Sequence, residues 1–401
     1  MNLETPRKFR AFVEQSYQVA ANFFRPISRK YDLAEHTYPV ELDMLAALME
    51  GMNEAGGTEV GADQLRREKS GDGSGVRNGS NMATVLGLTE LCWGDVGLAL
   101  TIPRQGLGNS AISAVATDEQ RKRFAGKWAS MAITEPEAGS DSAAIRTTAR
   151  LDGDHWVLNG QKIFVTAGER CDAVVVWATL DPSRGRAAIK SFVVEKGTPG
   201  MQMVGLEKKL GIRASDTATI MFTDCRIPKD NILGSPEIDT EKSFAGVMQT
   251  FDNTRPVVAA MAIGVARASL DLTRELLAKE GVEPRYETAT FNQSAAGAEL
   301  LRMEAELEAA RLLTWRAAWM ADNGKPNSME ASMAKAKAGR VANAITLRCV
   351  ELCGSAGYAE RELLEKWARD SKILDIFEGT QQIQLLVVAR RLLGKSSSEL
   401  R

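Results

Sequence analysis

The sequence predicts an α+β protein: an N-terminal helical domain, a central β-domain and a C-terminal helical bundle. Three observations predict this order. Helical apolar spacing precedes residue 125, short β-branched runs fill about 130–235, and long helical periods follow from about 241. We therefore expect domains at 1–127, 128–240 and 241–401.

The composition is that of an ordinary globular protein, with 44% hydrophobic and 25% charged residues in a chain of 401. Its 50 basic and 52 acidic side chains give a net charge of −2, which disfavours nucleic-acid binding. No apolar run approaches the ~18 residues of a membrane span. The charged start "MNLETPRKFRAFVEQ" is unlike a secretory signal. We expect a cytoplasmic protein without a membrane span.

Cysteines and histidines are too sparse for most metal sites. The five cysteines are scattered and odd in number, which disfavours a disulfide framework. His36 and His155 lie far apart, so a histidine metal site and a Ser-His-Asp hydrolase are both unexpected. We expect no metal, and chemistry that uses carboxylates, backbone groups or a cofactor.

In the N-terminal region, helices flank the glycine-rich loop "GDGSGVRNGSN", and "MATVLGLTELCWGDVGLALTI" begins with helical spacing. The β-domain follows from the runs "HWVLNG", "QKIFVTAG", "AVVVWATL", "AIKSFVVEKG" and "TATIMFTDCRIP". Asp152-Gly153 and Asn159-Gly160 are strong hairpin signals between such runs.

Three long helices are predicted after the β-domain. The first starts near Pro256 and closes at Gly281, and the second ends on Asn323-Gly324. The third starts at Asn327 or Ser328 and ends near Gly354. Short loops between long helices imply antiparallel packing in a bundle.

Two segments of the β-domain carry groups suited to a ligand. "MAITEPEAGSD" offers Thr134, Gly139 and Ser140 to a heterocycle or phosphate, although a surface turn plus strand explains it equally well. "NGQKIFVTAG" puts Phe164 and Thr166 on one face of a strand. Taken alone, that pattern is more typical of a core strand.

Two further segments carry charges at turns. "KKLGIRASDTATIMFTDCRIPKDNILG" has a basic start and a turn, 213–216, that could meet anions or could be a solvated loop. "FDNTRPVV" puts Asp252 and Arg255 at a predicted helix start, where an arginine opposes the helix dipole. Either a capping pair with Asp252 or an anionic ligand would compensate the unfavourable charge of Arg255 at this position.

A fifth segment, "ILDIFEGTQQIQ", places the lone carboxylate of Glu378 among apolar residues. Apolar surroundings disfavour the charged form, so its pKa should rise toward the range of a general base. The alternative is a solvated glutamate at a helix end.

Together, in this order and spacing, the five segments resemble the acyl-CoA dehydrogenase family along nearly the whole chain. The matching stretches are "ITEPEAGSD", "LNGQKIFVT", "GIRASDTATIMFTDCRIPKDNILG", "FDNTRPVVAA" and "RDSKILDIFEGTQQIQ". The resemblance implies an N-terminal helical domain, a central β-domain and a C-terminal four-helix bundle. FAD would lie between the last two.

The resemblance implies α,β-dehydrogenation of an acyl-CoA thioester to the trans-2-enoyl-CoA, as in fatty acid or related acyl-chain β-oxidation. Glu378 would remove the α-proton while flavin N5 takes the β-hydride. Its backbone N–H and a flavin ribityl hydroxyl would polarise the thioester carbonyl. Some members place the base where this chain has Thr254, so Glu378 is the only candidate. Electron transfer flavoprotein is the implied electron acceptor.

The resemblance also assigns binding residues. Cofactor-binding residues would be Met131, Ile133, Thr134, Gly139, Ser140, Phe164, Thr166, Thr380 and Gln382. Substrate-binding residues would be Ser140, Asp252, Arg255 and Gly379.

Two stretches depart from the family pattern. Homotetrameric members carry R-x-x-F-G, whose arginine reaches the neighbouring FAD; here "GVEPRYETATFNQSAAG" puts Glu283 and Glu287 near the expected Arg and Gly. Where the family has a loop Q-x-x-G-G-x-G, this chain reads "ELCGSAG", with Glu351 in place of the glutamine and Ser355 in place of a glycine. Both stretches serve a neighbour's cofactor, so the chain resembles a subunit of the α2β2 acyl-CoA dehydrogenases of actinobacteria, which pair two unlike chains.

Three hypotheses follow: a catalytic subunit of a heteromeric dehydrogenase, a structural partner with an empty flavin site, or a homotetrameric dehydrogenase or oxidase with a divergent loop. The complete base motif disfavours the second, and family oxidases tend to be longer chains. Straight fatty, branched and steroid side-chain thioesters all stay open as substrates.

Overall fold

The structure is a computed structural model that describes residues 3–54, 78–103, 106–238, 245–396 and 399. Side chains of 48–54 and 245–253 are outside that description. Most of the predicted glycine-rich loop, including its start at Gly71, therefore lies outside the described residues.

The N-terminal region is helical, as predicted. One π-helical stretch, Ala20–Phe24, joins its first two helices. In chain order the helices are α1 (Arg10–Val19), α2 (Arg25–Leu33), α3 (Glu41–Glu54), α4 (Ser80–Gly94), α5 (Val96–Ala99), α6 (Leu107–Val115) and α7 (Asp118–Arg123). The break after α4 falls at Asp95, whose carboxylate caps α5 by accepting from the Leu98 amide at 2.8 Å.

A mixed sheet of seven strands follows, in the order β1-β4-β2-β3-β7-β6 with β5 paired to β4. The strands are β1 (Ala129–Ala132), β2 (Thr148–Asp152), β3 (His155–Thr166), β4 (Ala173–Thr179), β5 (Ile189–Glu195), β6 (Met201–Leu206) and β7 (Thr217–Pro228). The sequence did not predict β1, β2 or β6. β1 has only four residues, β2 has one buried residue and β6 has none, so none of them shows the apolar run that marks the other strands.

One of the two hairpin predictions is wrong. Asp152-Gly153 does form the turn between β2 and β3, with Gly153 at φ 61°. Asn159-Gly160 instead lies inside β3, at a register shift against β7. A Cβ at Gly160 would lie 2.4 Å from the Thr147 hydroxyl, so this glycine serves a close chain approach rather than a turn.

The C-terminal region is a helical bundle. Its long helices are α8 (Ala245–Lys279), α9 (Ala295–Asp322), α10 (Ser328–Leu352) and α13 (Gln381–Leu393), and its short ones are α11 (Gly354–Tyr358) and α12 (Leu364–Ser371). The helix ends near Gly281, Gly324 and Gly354 agree with the sequence, and all three glycines have positive φ.

The start of α8 differs from the prediction. The helix begins at Ala245, so Pro256 and Arg255 lie in its interior. A proline there removes an N–H donor and crowds the carbonyl four residues earlier, a cost of about 3 kcal/mol, yet the packed helix continues past it. The expected position of Asp252 and Arg255 at a helix start is therefore wrong.

Helix α8 is the central element, packing against α4, α9 and α10 in one apolar core that joins the N- and C-terminal regions. Its stretch Thr254–Lys279 is long and apolar enough to cross a membrane by length and composition. However, 78% of its most apolar window is buried inside the protein, as in a core helix.

A buried charge cluster ties the three regions together. Lys366 Nζ on α12 lies 2.7 Å from Asp95 and 2.5 Å from Asp370, and all three side chains are buried. Asp370 also accepts from the Ile212 amide of the β-domain at 2.5 Å, and Ser28 of α2 donates to Asp95. The domain arrangement thus depends on polar contacts as well as on apolar packing.

Candidate active site

Glu378 lies in a short loop between a 3₁₀ turn, Lys372–Asp375, and helix α13. Its φ is 57° and that of Gly379 is 92°, so two successive residues occupy the left-handed region. For a glutamate this conformation costs about 1–2 kcal/mol. Such strain persists only where neighbouring groups hold it, and it is common at active sites.

Hydrogen bonds hold both carbonyls of this loop. Gln384 Nε2 donates to the carbonyls of Glu378 (3.0 Å) and Gly379 (3.2 Å). Lys335 Nζ on α10 donates to the Gly379 carbonyl at 2.7 Å. A Cβ on residue 379 would lie 2.4 Å from Gln384 Nε2, so this approach requires glycine.

The Glu378 amide itself remains open. In the part of the chain that the structure describes, no group accepts a hydrogen bond from its N–H. An oriented backbone donor beside a carboxylate is what a developing oxyanion near that carboxylate would need.

The carboxylate of Glu378 accepts a hydrogen bond from the Thr254 hydroxyl at 2.9 Å. Burial raises the pKa of Glu378, in the direction that its apolar sequence neighbours predict. The Thr254 hydrogen bond, Arg255 and Lys335 act in the opposite direction. Glu378 is therefore a desolvated carboxylate whose pKa is raised by burial and held back by three neighbours. This balance suits a general base, which must be ionised to accept a proton.

Arg255 is 4% exposed, and its guanidinium lies 3.3 Å from the Ser332 hydroxyl of α10. Its position on α8 brings its charge close enough to act on Glu378, while its predicted role in substrate binding stays a prediction. Asp252 lies one helical turn earlier, and its side chain is outside the described residues.

The predicted cofactor edge is built by β1 and β3. The Ile163 amide of β3 donates to the Thr134 carbonyl at 2.9 Å. Lys162, fully buried, donates to the Ile133 carbonyl (2.9 Å) and pairs with Glu135 (2.7 Å). Burial lowers the pKa of Lys162 to about 8, against the pull of Glu135. Lys162 thus anchors the stretch that follows β1.

Phe164 stands at a second register shift of β3, with φ 57° and a side chain 59% exposed. Val165 between Phe164 and Thr166 is fully buried, which leaves its two neighbours on the outward side. An exposed aromatic ring beside a hydroxyl is the plate that a flat heterocycle needs.

Several polar groups of this edge have no protein partner. Within the described ranges, no hydrogen bond involves the hydroxyls of Thr134, Ser140 or Thr166. Gly139 is exposed, and a Cβ there would meet nothing within 4 Å. Open hydroxyls, a glycine and an exposed ring are the donor set that a flavin with its pyrophosphate would use.

The structure brings the predicted residues together in two groups. Glu378, Gly379 and Arg255 share the base loop and its surroundings, while Met131–Thr134 and Phe164–Thr166 share the β-domain edge. Among the described residues, no hydrogen bond joins the two groups. Thr380 caps α13 by accepting from the Ile383 amide at 3.4 Å, and Gln382 is exposed on that helix.

Sequence reasoning missed Lys335, Lys162 and Gln384. Lys335 had a usable signal: in "ASMAKAKAG" it falls on the same helical stripe as the buried Ala331, Ala338 and Ala342. A lysine on a buried stripe needs a polar partner, and here the partner is the base loop.

Comparisons with known proteins agree along the whole chain. The sequence matches the family descriptions "Acyl-CoA dehydrogenase, N-terminal domain" over residues 6–132, "middle domain" over 130–225 and "C-terminal domain" over 244–393. Bovine (Bos taurus) mitochondrial short-chain specific acyl-CoA dehydrogenase is 36% identical over 98% of this chain and 92% of that protein. The probable acyl-CoA dehydrogenase FadE25 of Mycobacterium tuberculosis is 35% identical over 80% of this chain and 82% of that one.

Solved structures show the same architecture. Butyryl-CoA dehydrogenase from Megasphaera elsdenii is 30% identical with a TM-score of 0.84, over 98% of this chain and 100% of that one. A chain from a study of the electron transferring flavoprotein of Acidaminococcus fermentans is 31% identical with a TM-score of 0.82, over 98% and 100%. With three consecutive family domains and relatives matched over nearly its full length, the protein belongs to the acyl-CoA dehydrogenase family.

Proposed function

We propose that Glu378 is the base that removes the α-proton of an acyl-CoA thioester, giving the trans-2-enoyl-CoA. The protein is an acyl-CoA dehydrogenase, and members of its family are FAD flavoproteins. The single observation that carries the assignment of the base is the Glu378 carboxylate, whose pKa burial raises and to which the Thr254 hydroxyl donates at 2.9 Å, beside a Glu378 amide that has no acceptor among the described residues.

The residues divide the work as follows. Desolvation makes the Glu378 carboxylate basic enough to accept the α-proton, and the Thr254 hydroxyl orients it. The Glu378 N–H would donate to the thioester carbonyl oxygen and stabilise the enolate-like charge. Gly379 leaves room beside the base, while Asp252, Arg255 and Ser140 are proposed to contact the substrate.

We propose that FAD binds along the β-domain edge. When bound, FAD supplies the acceptor for the β-hydride. The stretch Met131–Thr134 and the Thr166 hydroxyl would hold the ring, and Phe164 would cover it. Gly139 and Ser140 would receive the pyrophosphate. Thr380 and Gln382, at the start of α13, are proposed to contact the adenine half.

Replacing the base tests this assignment. Glu378→Gln keeps the hydrogen bond from Thr254 but cannot accept a proton, so anaerobic flavin bleaching by acyl-CoA should fall by at least about 10³-fold, or ~4 kcal/mol of barrier. Butyryl-CoA is the first substrate to use, because two relatives act by name on short or butyryl thioesters. Wild-type bleaching in the variant would remove Glu378 as the base.

We propose further that this chain is one subunit of a heteromeric complex with a second acyl-CoA dehydrogenase-like chain. Glu283 is exposed near the position expected for the arginine that would meet a neighbour's pyrophosphate, and Glu287 is exposed near the expected glycine. Glu351 is exposed and pairs with Arg348 at 2.5 Å. Helix α13 also leaves an apolar face for a partner, with Leu385, Leu386, Leu392 and Leu393 each at least 40% exposed.

Flavin content distinguishes the alternatives. The chain is produced alone and together with candidate partner chains, and flavin absorbance per chain is measured. A heteromer predicts low occupancy alone and a marked rise with the right partner. Full occupancy alone would instead support a homotetrameric dehydrogenase or oxidase, and an empty site in every complex would support a structural partner.

Electron transfer flavoprotein is our proposed electron acceptor, supported by the 31% identical relative from an electron transferring flavoprotein study. Faster oxygen turnover than transfer to that acceptor would favour an oxidase. A cytoplasmic location is also part of the proposal, supported by five free cysteines. Fractionation of the native cells tests it.

A further inference from the structure

Lys335 is an unusual group to find behind a base. Its side chain is fully buried on α10, and its ammonium lies 2.7 Å from the Gly379 carbonyl, one peptide unit beyond Glu378. A buried cation is costly unless it is paired and hydrogen-bonded. The Lys335 ammonium donates to the loop that carries Glu378, so the free-energy cost of burying this cation is offset only while the loop keeps its geometry.

The loop needs such support. Glu378 and Gly379 have φ values of 57° and 92°, and their carbonyls accept hydrogen bonds from the buried side chains of Lys335 and Gln384. Lys335 reaches the Gly379 carbonyl from α10, whereas Gln384 reaches both carbonyls from α13. The two donors come from different helices, so together they fix the loop in two directions. Rotation of the peptide between residues 379 and 380 would break the Gly379 carbonyl's contacts with both helices.

We propose that Lys335 is a positioning residue for the dehydrogenation: by holding the Gly379 carbonyl it keeps the Glu378 carboxylate and amide aimed at one substrate. The inference rests on the proposed role of Glu378 as base. Lys335 does not touch the reacting atoms in this arrangement. It acts through the backbone of the base loop.

The charge of Lys335 adds a second effect. Burial lowers the pKa of Lys335 to about 8, while Asp375 and Glu378 raise it and Arg255 lowers it. Below about pH 8 Lys335 is an ammonium, and its charge favours the ionised form of Glu378. Arg255 on α8 and the Thr254 hydroxyl act in the same direction. Removing the cation should therefore move the titration of the base to higher pH.

Two substitutions separate the hydrogen bond from the charge. Lys335→Met removes both, whereas Lys335→Gln keeps an amide donor and loses the charge. Lys337→Met is the matched control, since Lys337 lies two residues along the same helix and pairs with Glu306 instead. All three are tested as purified flavoproteins, with any partner chain present.

The flavin-reduction rate at pH 7 should fall about tenfold in Lys335→Met and less in Lys335→Gln. In both, the pH of half-maximal rate should move upward, because Glu378 loses a neighbouring cation. Lys337→Met should match the wild type in both measurements. An unshifted pH profile in Lys335→Gln overturns the charge effect. If Lys335→Met does not fold, the Lys335→Gln variant alone provides the test.

Hydrogen exchange gives a readout that does not depend on turnover. Amides of residues 376–384 should exchange faster in Lys335→Met and near the wild-type rate in Lys337→Met, with Lys335→Gln in between. Wild-type exchange and wild-type rate in Lys335→Met overturn the proposal. If Glu378→Gln still reduced the flavin, the assigned base would fail, yet the exchange experiment would still decide whether Lys335 holds the loop.

Discussion

At the scale of single residues, the chemistry of this protein depends on a carboxylate in an unfavourable place. The pKa of Glu378 is raised by burial, so the folded protein binds its proton more tightly than the unfolded chain does. The contribution of Glu378 to stability is therefore fully present below the ordinary carboxyl pKa and is lost as pH rises through the folded pKa. An ionised Glu378 at neutral pH therefore lowers the free energy of unfolding.

Glu378→Gln removes that cost, so the flavin-free variant should be more stable than the wild type at pH 8. Each unit of pKa elevation corresponds to about 1.4 kcal/mol. The difference should shrink as pH falls toward about 4.3, where the unfolded glutamate also protonates. Urea unfolding at several pH values measures it. Glu287→Gln, at an exposed site, is the control, and a pH-independent gap for Glu378→Gln would contradict the expectation.

At the scale of elements, the start of helix α4 is capped by a distant part of the chain. Helix α4 follows Gly79, which has no side chain to cap it. The carboxylate of Asp322, at the end of α9, accepts instead from the amides of Gly79 (2.7 Å), Asn81 (3.0 Å) and Met82 (3.1 Å). A carboxylate at a helix N-terminus also interacts favourably with the helix dipole.

Asp322→Ala should therefore destabilise the protein by about 2 kcal/mol, in the upper range for a lost helix cap. Asp322→Asn keeps an acceptor oxygen and should lose less. Chemical unfolding of both variants gives the comparison, and amide exchange in the first turn of α4 locates the effect. Equal stability of the alanine variant and the wild type would mean that water replaces the cap.

At the scale of the whole molecule, the three regions are joined by the buried cluster around Lys366. Burial favours the neutral amine, but Asp370 and Asp95 outweigh it and raise the pKa of Lys366. The cation is thus present at neutral pH, and two buried carboxylates depend on it.

Lys366→Met leaves Asp95 and Asp370 buried without their cation, which should cost about 3–5 kcal/mol. Unfolding should also lose cooperativity, because the cluster links α2, α12 and the β-domain. Lys279→Met, at an exposed lysine, should change stability by less than about 0.5 kcal/mol. Calorimetry of the two variants tests this, and similar transitions would show that apolar packing alone joins the regions.

The order of the three regions and the ends of the long bundle helices could be predicted from the sequence, because they depend on local information: periodicity of 3.6 or 2, or a glycine after a helix. Glu378 became the candidate base only through the resemblance of five segments to one family. Prediction was wrong at Asn159-Gly160 and at the start of α8. In both places a tertiary contact or helix packing outweighed the local preference of the dipeptide or the proline.

By itself, then, the sequence determined the α+β architecture and a lone carboxylate in an apolar segment. Only the tertiary structure decided how that carboxylate is held. Thr254 and Lys335 come from two other helices, and no local pattern in "ILDIFEGTQQIQ" refers to them, whereas Gln384 belongs to that segment. Burial and the approach of distant charges set the pKa and direction of Glu378, and both exist only once the helices have packed.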